Sequence, residues 1–174
     1  MSPATHTAVE TWPPAALDIR IRLASMRDYE ELCGLFDELD ALHRAARPEL
    51  FREFDGPPRT REQVAQMLAS RDSTILVASA AGSLAGLATL LTRPPSTFAG
   101  AVPRHVIELD NLVVRSDCRG RRVGRRLLAA AVEWARQRRA THLEVAAHTF
   151  NSDAIGFYTA FGFTPSIERL MLAV

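Results

Sequence analysis

Residues 108–139 read ELDNLVVRSDCRGRRVGRRLLAAAVEWARQRR, and the reading of this stretch decides the fold. Glu108 to Val114 is apolar and β-branched towards its end, the composition of a strand. Arg115 to Arg122 is a basic turn. Val123, Leu127, Ala130, Ala131 and Trp134 then recur at helical spacing, with Arg125, Arg126, Arg136, Arg138 and Arg139 on the other faces. The first-turn amides of such a helix have no intrahelical partner and point out of its end. Together with the macrodipole they make an anion site suited to a phosphate. Gly120 and Gly124 let a ligand come close to the backbone there.

The chain has 174 residues, which fits one domain with a substantial core. Apolar residues at 47% and charged residues at 24% are ordinary for a soluble globular protein. A net charge of +1 gives no global argument for nucleic acid, but the charge is unevenly placed. Residues 115–139 hold nine arginines against Asp117 and Glu133. Asp28, Glu30, Glu31, Asp37, Glu38 and Asp40 form an acidic run with no base among them. The basic turn suits a polyanionic cofactor. The acidic run suits a cationic acceptor, or is a solvated helix face. Cys33 and Cys118 make neither a metal set nor a disulfide framework, and both read as packing residues. Residues 1–17, rich in Pro, Thr and Ala without periodicity, read as a flexible tail. They show no secretory pattern, and no apolar run reaches membrane-spanning length, so a cytoplasmic location is expected.

The remaining elements follow from patterning. Ile19 to Leu23 alternates apolar residues with arginine, as a half-buried strand does. Ser25 with Asp28 starts a helix carrying Leu32, Leu35, Phe36, Leu39 and Leu42, which must end before Arg47-Pro48. Thr60 caps a second helix running to about Ser70. Thr74–Ala80 and Leu84–Thr92 form a hairpin, and the proline-rich stretch 93–103 is a loop. Thr141–Thr149 is a strand, Asn151 or Ser152 caps a helix closed by Gly162, and Ser166–Val174 is a last strand.

A P-loop requires GxxxxGK[ST], and this chain has no lysine. A dinucleotide turn requires GxGxxG, and here the glycines stand G-x-x-x-G. Arg119-Gly120-Arg121-Arg122-Val123-Gly124 instead resembles the [QR]-x-x-G-x-[GA] pyrophosphate loop of the GNAT N-acetyltransferases, with Arg122 where that family usually has its central glycine. Leu143 to Asn151, followed by Ala154, Phe157-Tyr158 and Gly162-Phe163, is similar to the family's strand-Asn-x-x-Ala-x-x-Phe-Tyr-x-x-x-Gly-Phe element. The resemblance spans Asp18 to Val174. It implies a single α/β (α+β) domain over 18–174: a central mixed, mostly antiparallel twisted sheet of six to seven strands, flanked by about four helices, with splayed central strands.

The resemblance also implies an activity, the direct transfer of an acetyl group from acetyl-CoA to a primary amine. Backbone groups of Leu112, Val113 and Val114 would then pair with the pantetheine arm and hold the thioester oxygen. Amides from Arg119, Gly120, Arg121, Arg122, Val123 and Gly124 would hold the pyrophosphate, with Arg125 as a nearby cation. Because amides do the binding, a side chain at 122 is tolerable where its φ is negative. Tyr158 matches the family's general acid, and Asn151 its pantetheine partner. Glu108 is the first candidate for the base and Asp110 the second, two residues apart and hence on one strand face. A water chain, His43, His105 and His148 are further candidates. The acceptor pocket would be built by His43, Arg47, Glu49, Phe51 and the loop 93–103, and Glu108 would also face the acceptor. The expected partners are a small-molecule amine or a peptide and a second copy in a homodimer, with no metal, nucleic acid or membrane. Two other readings stand beside this one: a non-catalytic acyl-CoA sensor, and a nucleic-acid module using the arginine helix, which lacks interleaved aromatics.

Overall fold

The computed structural model describes residues 18–172. The expected flexible tail, residues 1–17, lies outside them. Nine elements follow in order: β1 (Ile19–Leu23), α1 (Tyr29–Ala46), α2 (Arg61–Ala69), β2 (Ser73–Ala80), β3 (Ser83–Thr92), β4 (Val106–Val114), α3 (Val123–Gln137), β5 (His142–Val145) and α4 (Ser152–Phe161). The strands form one sheet in the order β1-β2-β3-β4-β5. The first three pairings are antiparallel and β4–β5 is parallel.

Local chemistry sets the helix ends. Thr60 accepts from the Gln63 amide at 3.2 Å, while the Gln63 side chain accepts the Thr60 N–H at 2.7 Å. Asn151 Oδ1 accepts from the Ala154 amide at 3.0 Å and starts α4. Gly162, at φ 117°, ends it in the left-handed region that glycine enters freely. Helix α1 stops at Ala46, just before Arg47-Pro48.

Two apolar layers pack on opposite faces of the sheet. On one face Val123, Leu127, Leu128, Ala131 and Trp134 of α3 and Tyr158 of α4 meet Ala88, Leu90, Ile107 and Leu109. On the other, Leu32, Leu35 and Phe36 of α1 and Val64 of α2 meet Ile75, Val77, Leu87 and Val113. Each fully buried leucine or phenylalanine contributes roughly 1.5–3 kcal/mol, so the two layers hold the sheet from both sides. Gly86 is where β3 comes closest to β4: a Cβ there would lie 2.6 Å from the Val113 carbonyl oxygen.

The sheet has five strands where six to seven were expected. Strand β5 covers only His142–Val145 of the predicted Thr141–Thr149. The reason lies in β4, whose residue Asp110 has no partner in β3: Leu109 pairs with Leu90 and Asn111 with Thr89. This β-bulge bends and twists β4 away from its neighbour, and the β4–β5 ladder stops at the Leu109–Val145 pair. The predicted last strand, 166–174, does not form over its described part. It would need the outer edge of β5, which is four residues long, and Ile167, Leu170 and Leu172 stay exposed.

Candidate active site

The bulge at Asp110 creates the central feature of the site. Beyond Leu109, strand β4 runs on to Val114 with no strand among the described residues beside its β5-facing edge. The expected splay of the central strands is therefore present, at Leu112, Val113 and Val114. Their side chains are packing residues: Val113 sits in the α1 layer, while Leu112 and Val114 lean on the α3 layer. What this stretch offers a ligand is backbone polar groups along an open edge.

That edge leads into the basic turn. Arg115 folds inward onto Ser83 Oγ at 3.1 Å and the Leu84 carbonyl at 2.9 Å. Asp117, an ion-pair partner at 2.7 Å, holds its guanidinium above the ordinary arginine range. Arg119 donates to the Val114 carbonyl at 3.1 Å and reaches Glu38 at 3.5 Å. These two arginines brace the turn. Arg121, Arg122, Arg125 and Arg126 make no ion pair among the described residues; Arg125 lies 5.7 Å above the Phe161 ring. The first helical hydrogen bond of α3 runs from the Arg126 amide to the Arg122 carbonyl, which leaves the amides of Val123, Gly124 and Arg125 without helical partners. Arg122 itself has φ 65° and ψ 10°. The negative φ set as the condition for a side chain at this position is not met, because the turn enters α3 through a left-handed residue. Gly120, at φ 72°, supplies a second left-handed residue in the same turn.

Tyr158 is buried under α4, with its ring 5.5 Å from Phe163 and 5.4 Å from Phe157. Burial pushes its hydroxyl up to about 12, so it holds its proton at any physiological pH. Among the described residues that hydroxyl has no hydrogen-bond partner, although it is not sealed from solvent.

The polar face of β4 carries Glu108, Asp110 and Asn111 together. The Asn111 side-chain amide donates to Asp110 at 2.6 Å and to Thr89 Oγ1 at 2.9 Å, and the Thr89 hydroxyl lies 3.4 Å from Asp110. Strict alternation puts Asn111 on the opposite face; the bulge puts it beside Asp110. Glu108 is ion-paired with Arg93 at the start of the proline-rich loop.

His43 and Phe51, both expected in the acceptor pocket, come together at 5.3 Å between ring centroids. His148 and Phe150, from the segment after β5, complete the cluster, with His148 5.3 Å from His43 and 5.4 Å from Phe150. His43 Nδ1–H donates to the Leu39 carbonyl at 2.8 Å. Burial, then the neighbouring His43 and Arg47, push the His148 imidazole below its ordinary value. Arg47 is ion-paired with Glu49. A groove of ≈ 510 Å³ opens beside this cluster along Ala41, Ala45, Pro48 and Phe51. Sequence reasoning missed Phe150, Asn111 and Thr89; His105 lies apart, its backbone tied to Thr141.

The acidic run does not form an anionic surface for an acceptor. Asp28 binds Arg22, Glu30 binds Arg61, Asp37 binds Arg44, Glu38 binds Arg119 and Asp40 binds Arg59. Glu31 accepts from the Leu84 amide at 2.6 Å. These acids therefore give no argument for a cationic acceptor: five of them tie α1 to the rest of the fold, and Asp37 pairs with Arg44 within α1 itself.

The model of the acetyltransferase (GNAT) family matches residues 37–163, and the chain belongs to that family. Among solved structures it is similar to a tetramutant of the BH1408 protein from Bacillus halodurans, at 20% identity and a TM-score of 0.83, covering 89% of this chain and 99% of that one. It is also similar to the aminoglycoside N-acetyltransferase AAC(6')-Iy in complex with CoA, at 20% identity and a TM-score of 0.70, covering 94% and 98%. A third is the aminoglycoside acetyltransferase meta-AAC0020 from an uncultured soil metagenomic sample, in complex with sisomicin, at 15% identity and a TM-score of 0.66, covering 90% and 95%. At these identities the likeness is one of fold. No curated protein sequence matches the chain.

Proposed function

We propose that the protein transfers an acetyl group from acetyl-CoA to a primary amine, with a small molecule as acceptor. The observation that carries this is the continuity of the open β4 edge, residues 112–114, with the unpartnered amides that begin α3. An elongated carrier with a diphosphate at one end and an amide-containing arm at the other fits both. The residues present suit it: three free amides in the first turn of α3, left-handed backbone at Gly120 and Arg122, and arginines at 121, 122 and 125 that no protein carboxylate neutralises among the described residues. The carrier supplies an activated thioester carbon.

The chain supplies the rest. Backbone groups of Leu112, Val113 and Val114 fix the arm, and an amide there stabilises the negative charge that grows on the thioester oxygen. The amine nitrogen bonds to the carbonyl carbon as the C–S bond breaks. The amine's proton leaves to Glu108, or to Asp110 beside it, directly or through water. The departing sulfur takes the proton of Tyr158, whose raised pKa keeps that proton available. Asn151 caps α4 through its Oδ1, which leaves its side-chain N–H donors for the arm. His43, Phe51, His148 and Phe150 form an aromatic wall for the acceptor.

The test is a panel of aminoglycosides, polyamines, amino acids and peptide N-termini, each with acetyl-CoA and thiol detection. Amine-dependent thiol release supports the reading. Tight CoA binding with no release to any amine leaves a sensor, and binding away from residues 112–125 removes the basis of both.

A further inference from the structure

Glu108 is nearly enclosed, with 13% of its side chain exposed, while its ion-pair partner Arg93 is 56% exposed. Arg93 Nε meets Glu108 Oε2 out of hydrogen-bond alignment, so this buried oxygen accepts no hydrogen bond among the described residues. A buried carboxylate oxygen in that state gains from a well-aligned cationic donor. Arg93 is anchored by its backbone, whose N–H donates to the Val106 carbonyl at 2.9 Å, while more than half of its side chain is exposed, so the guanidinium can leave Glu108 towards solvent without unpacking the core. The carboxylate is fixed in the sheet; the cation over it is not.

The neighbouring charges define what fits in its place. Glu144, opposite Glu108 in the β4–β5 register, is neutralised by Arg104 at 2.8 Å. Among the described residues Asp110 has only the neutral donors Asn111 and Thr89. Removing the Arg93 guanidinium leaves two adjacent carboxylates on one strand face and room for one cation.

Resting on the acetyltransferase reading, we propose that Arg93 is a placeholder: its guanidinium sits where the acceptor's ammonium binds, and the acceptors are amines that enter as cations and displace it from Glu108. The acceptor competes with a tethered side chain, so Arg93 is a specificity-determining residue that raises the apparent KM of every cationic amine. An amine uncharged at neutral pH forms no ion pair with Glu108 on binding, and its KM does not sense Arg93.

Steady-state kinetics test this with spermidine and kanamycin as cations and aniline as the uncharged amine. R93A and R93M, the second keeping an apolar stem, lower KM for the cations about fivefold, with kcat changed less. R93K, which keeps a competing cation, behaves as wild type, and KM for aniline is unmoved in all three. Calorimetric titration of spermidine into CoA-saturated protein gives the same gain for R93M, and the gain vanishes when E108Q is added. An unchanged or raised KM in both R93A and R93M overturns the proposal, as does a gain that survives E108Q. If the wild type acetylates no amine, the acetyltransferase reading fails by itself. The calorimetry then decides: tighter spermidine binding to R93M keeps the displaced ion pair, and equal, weaker or absent binding removes it.

Discussion

Asn111 donates its side-chain amide to the hydroxyl of Thr89, the residue directly opposite it in β3, at 2.9 Å. This bond closes the bulge that frees the β4 edge, and it holds Asp110 in place from one side. Thr89 is fully buried. Thr89→Val keeps the shape and removes the hydroxyl, at a cost of about 1 kcal/mol. Thermal unfolding should show a melting point lower by about 2–4 °C. The kinetic consequence depends on which carboxylate takes the amine's proton. With Glu108 as base, Glu108→Ala lowers kcat about 10²–10⁴-fold, while Thr89→Val and Asp110→Ala leave it within about twofold. A pH–rate profile of each variant checks the assignment, and a large loss in Asp110→Ala alone transfers the role.

Tyr158 carries the second prediction. Its hydroxyl has no partner to satisfy among the described residues, so Tyr158→Phe leaves the packing of α4 intact. Turnover should nonetheless fall about 10²-fold, with CoA affinity by calorimetry unchanged. Unchanged turnover removes Tyr158 as the acid. The raised pKa also has a stability consequence. The folded value is about 12 against an ordinary value of 10.0, so the neutral form is favoured by folding. That contribution is complete below pH 10 and is lost as pH rises from 10 towards 12. Urea titrations over this range should show a steeper alkaline loss in wild type than in Tyr158→Phe.

Arg122 occupies a left-handed conformation, φ 65°, that costs a non-glycine residue about 1 kcal/mol. Arg122→Gly relieves this and should raise the melting point by about 2–4 °C. It also removes a cation beside the phosphate site, and CoA binding should weaken about two- to fivefold. Arg122→Ala separates the two effects, since it loses the charge and keeps the strain: affinity falls with no gain in melting point. Tighter CoA binding in Arg122→Gly would show that the side chain only obstructs.

Features made by neighbours in sequence were legible. The Thr60–Gln63 cap, the Asn151 cap, the glycine end of α4 and the halt before Pro48 each rest on chemistry within four residues. The strand-turn-helix unit and its free amides were legible for the same reason. What escaped was non-local or had no local signature. A bulge adds one residue without a marker, so nothing in the alternation shows that Asn111 shares a face with Asp110 or that Thr89 meets both. The partners of the acidic run come from as far as Arg59, Arg61, Arg119 and the Leu84 amide, which no helical pattern on α1 reveals. Phe150 joins His43 only because β5 ends early and turns its following segment over α1. The last strand was assigned from composition, but a strand also needs an edge to pair with, and the short β5 supplies little.

Asp28 gives the prediction furthest from the site. Its carboxylate accepts from Arg22 at 2.7 and 2.8 Å, from the Ser25 amide at 2.8 Å and from Ser25 Oγ at 3.1 Å. The Arg22 hydrogen bonds, then the Ser25 amide, hold its pKa at about 2, below the ordinary 3.8. A depressed carboxylate pKa means that the folded state favours the ionised form. The resulting stability is present above about pH 4 and is lost as pH falls towards 2. Asp28 is buried but Arg22 is half exposed, so solvent screening reduces the full linkage value to about 1–2 kcal/mol. Asp28→Asn should therefore cost about that much at pH 7, by urea unfolding, and should flatten the acid limb between pH 4 and 2. A variant as stable as wild type at pH 7, with the same acid limb, would mean that the Arg22–Asp28–Ser25 corner joining β1 to α1 contributes nothing net.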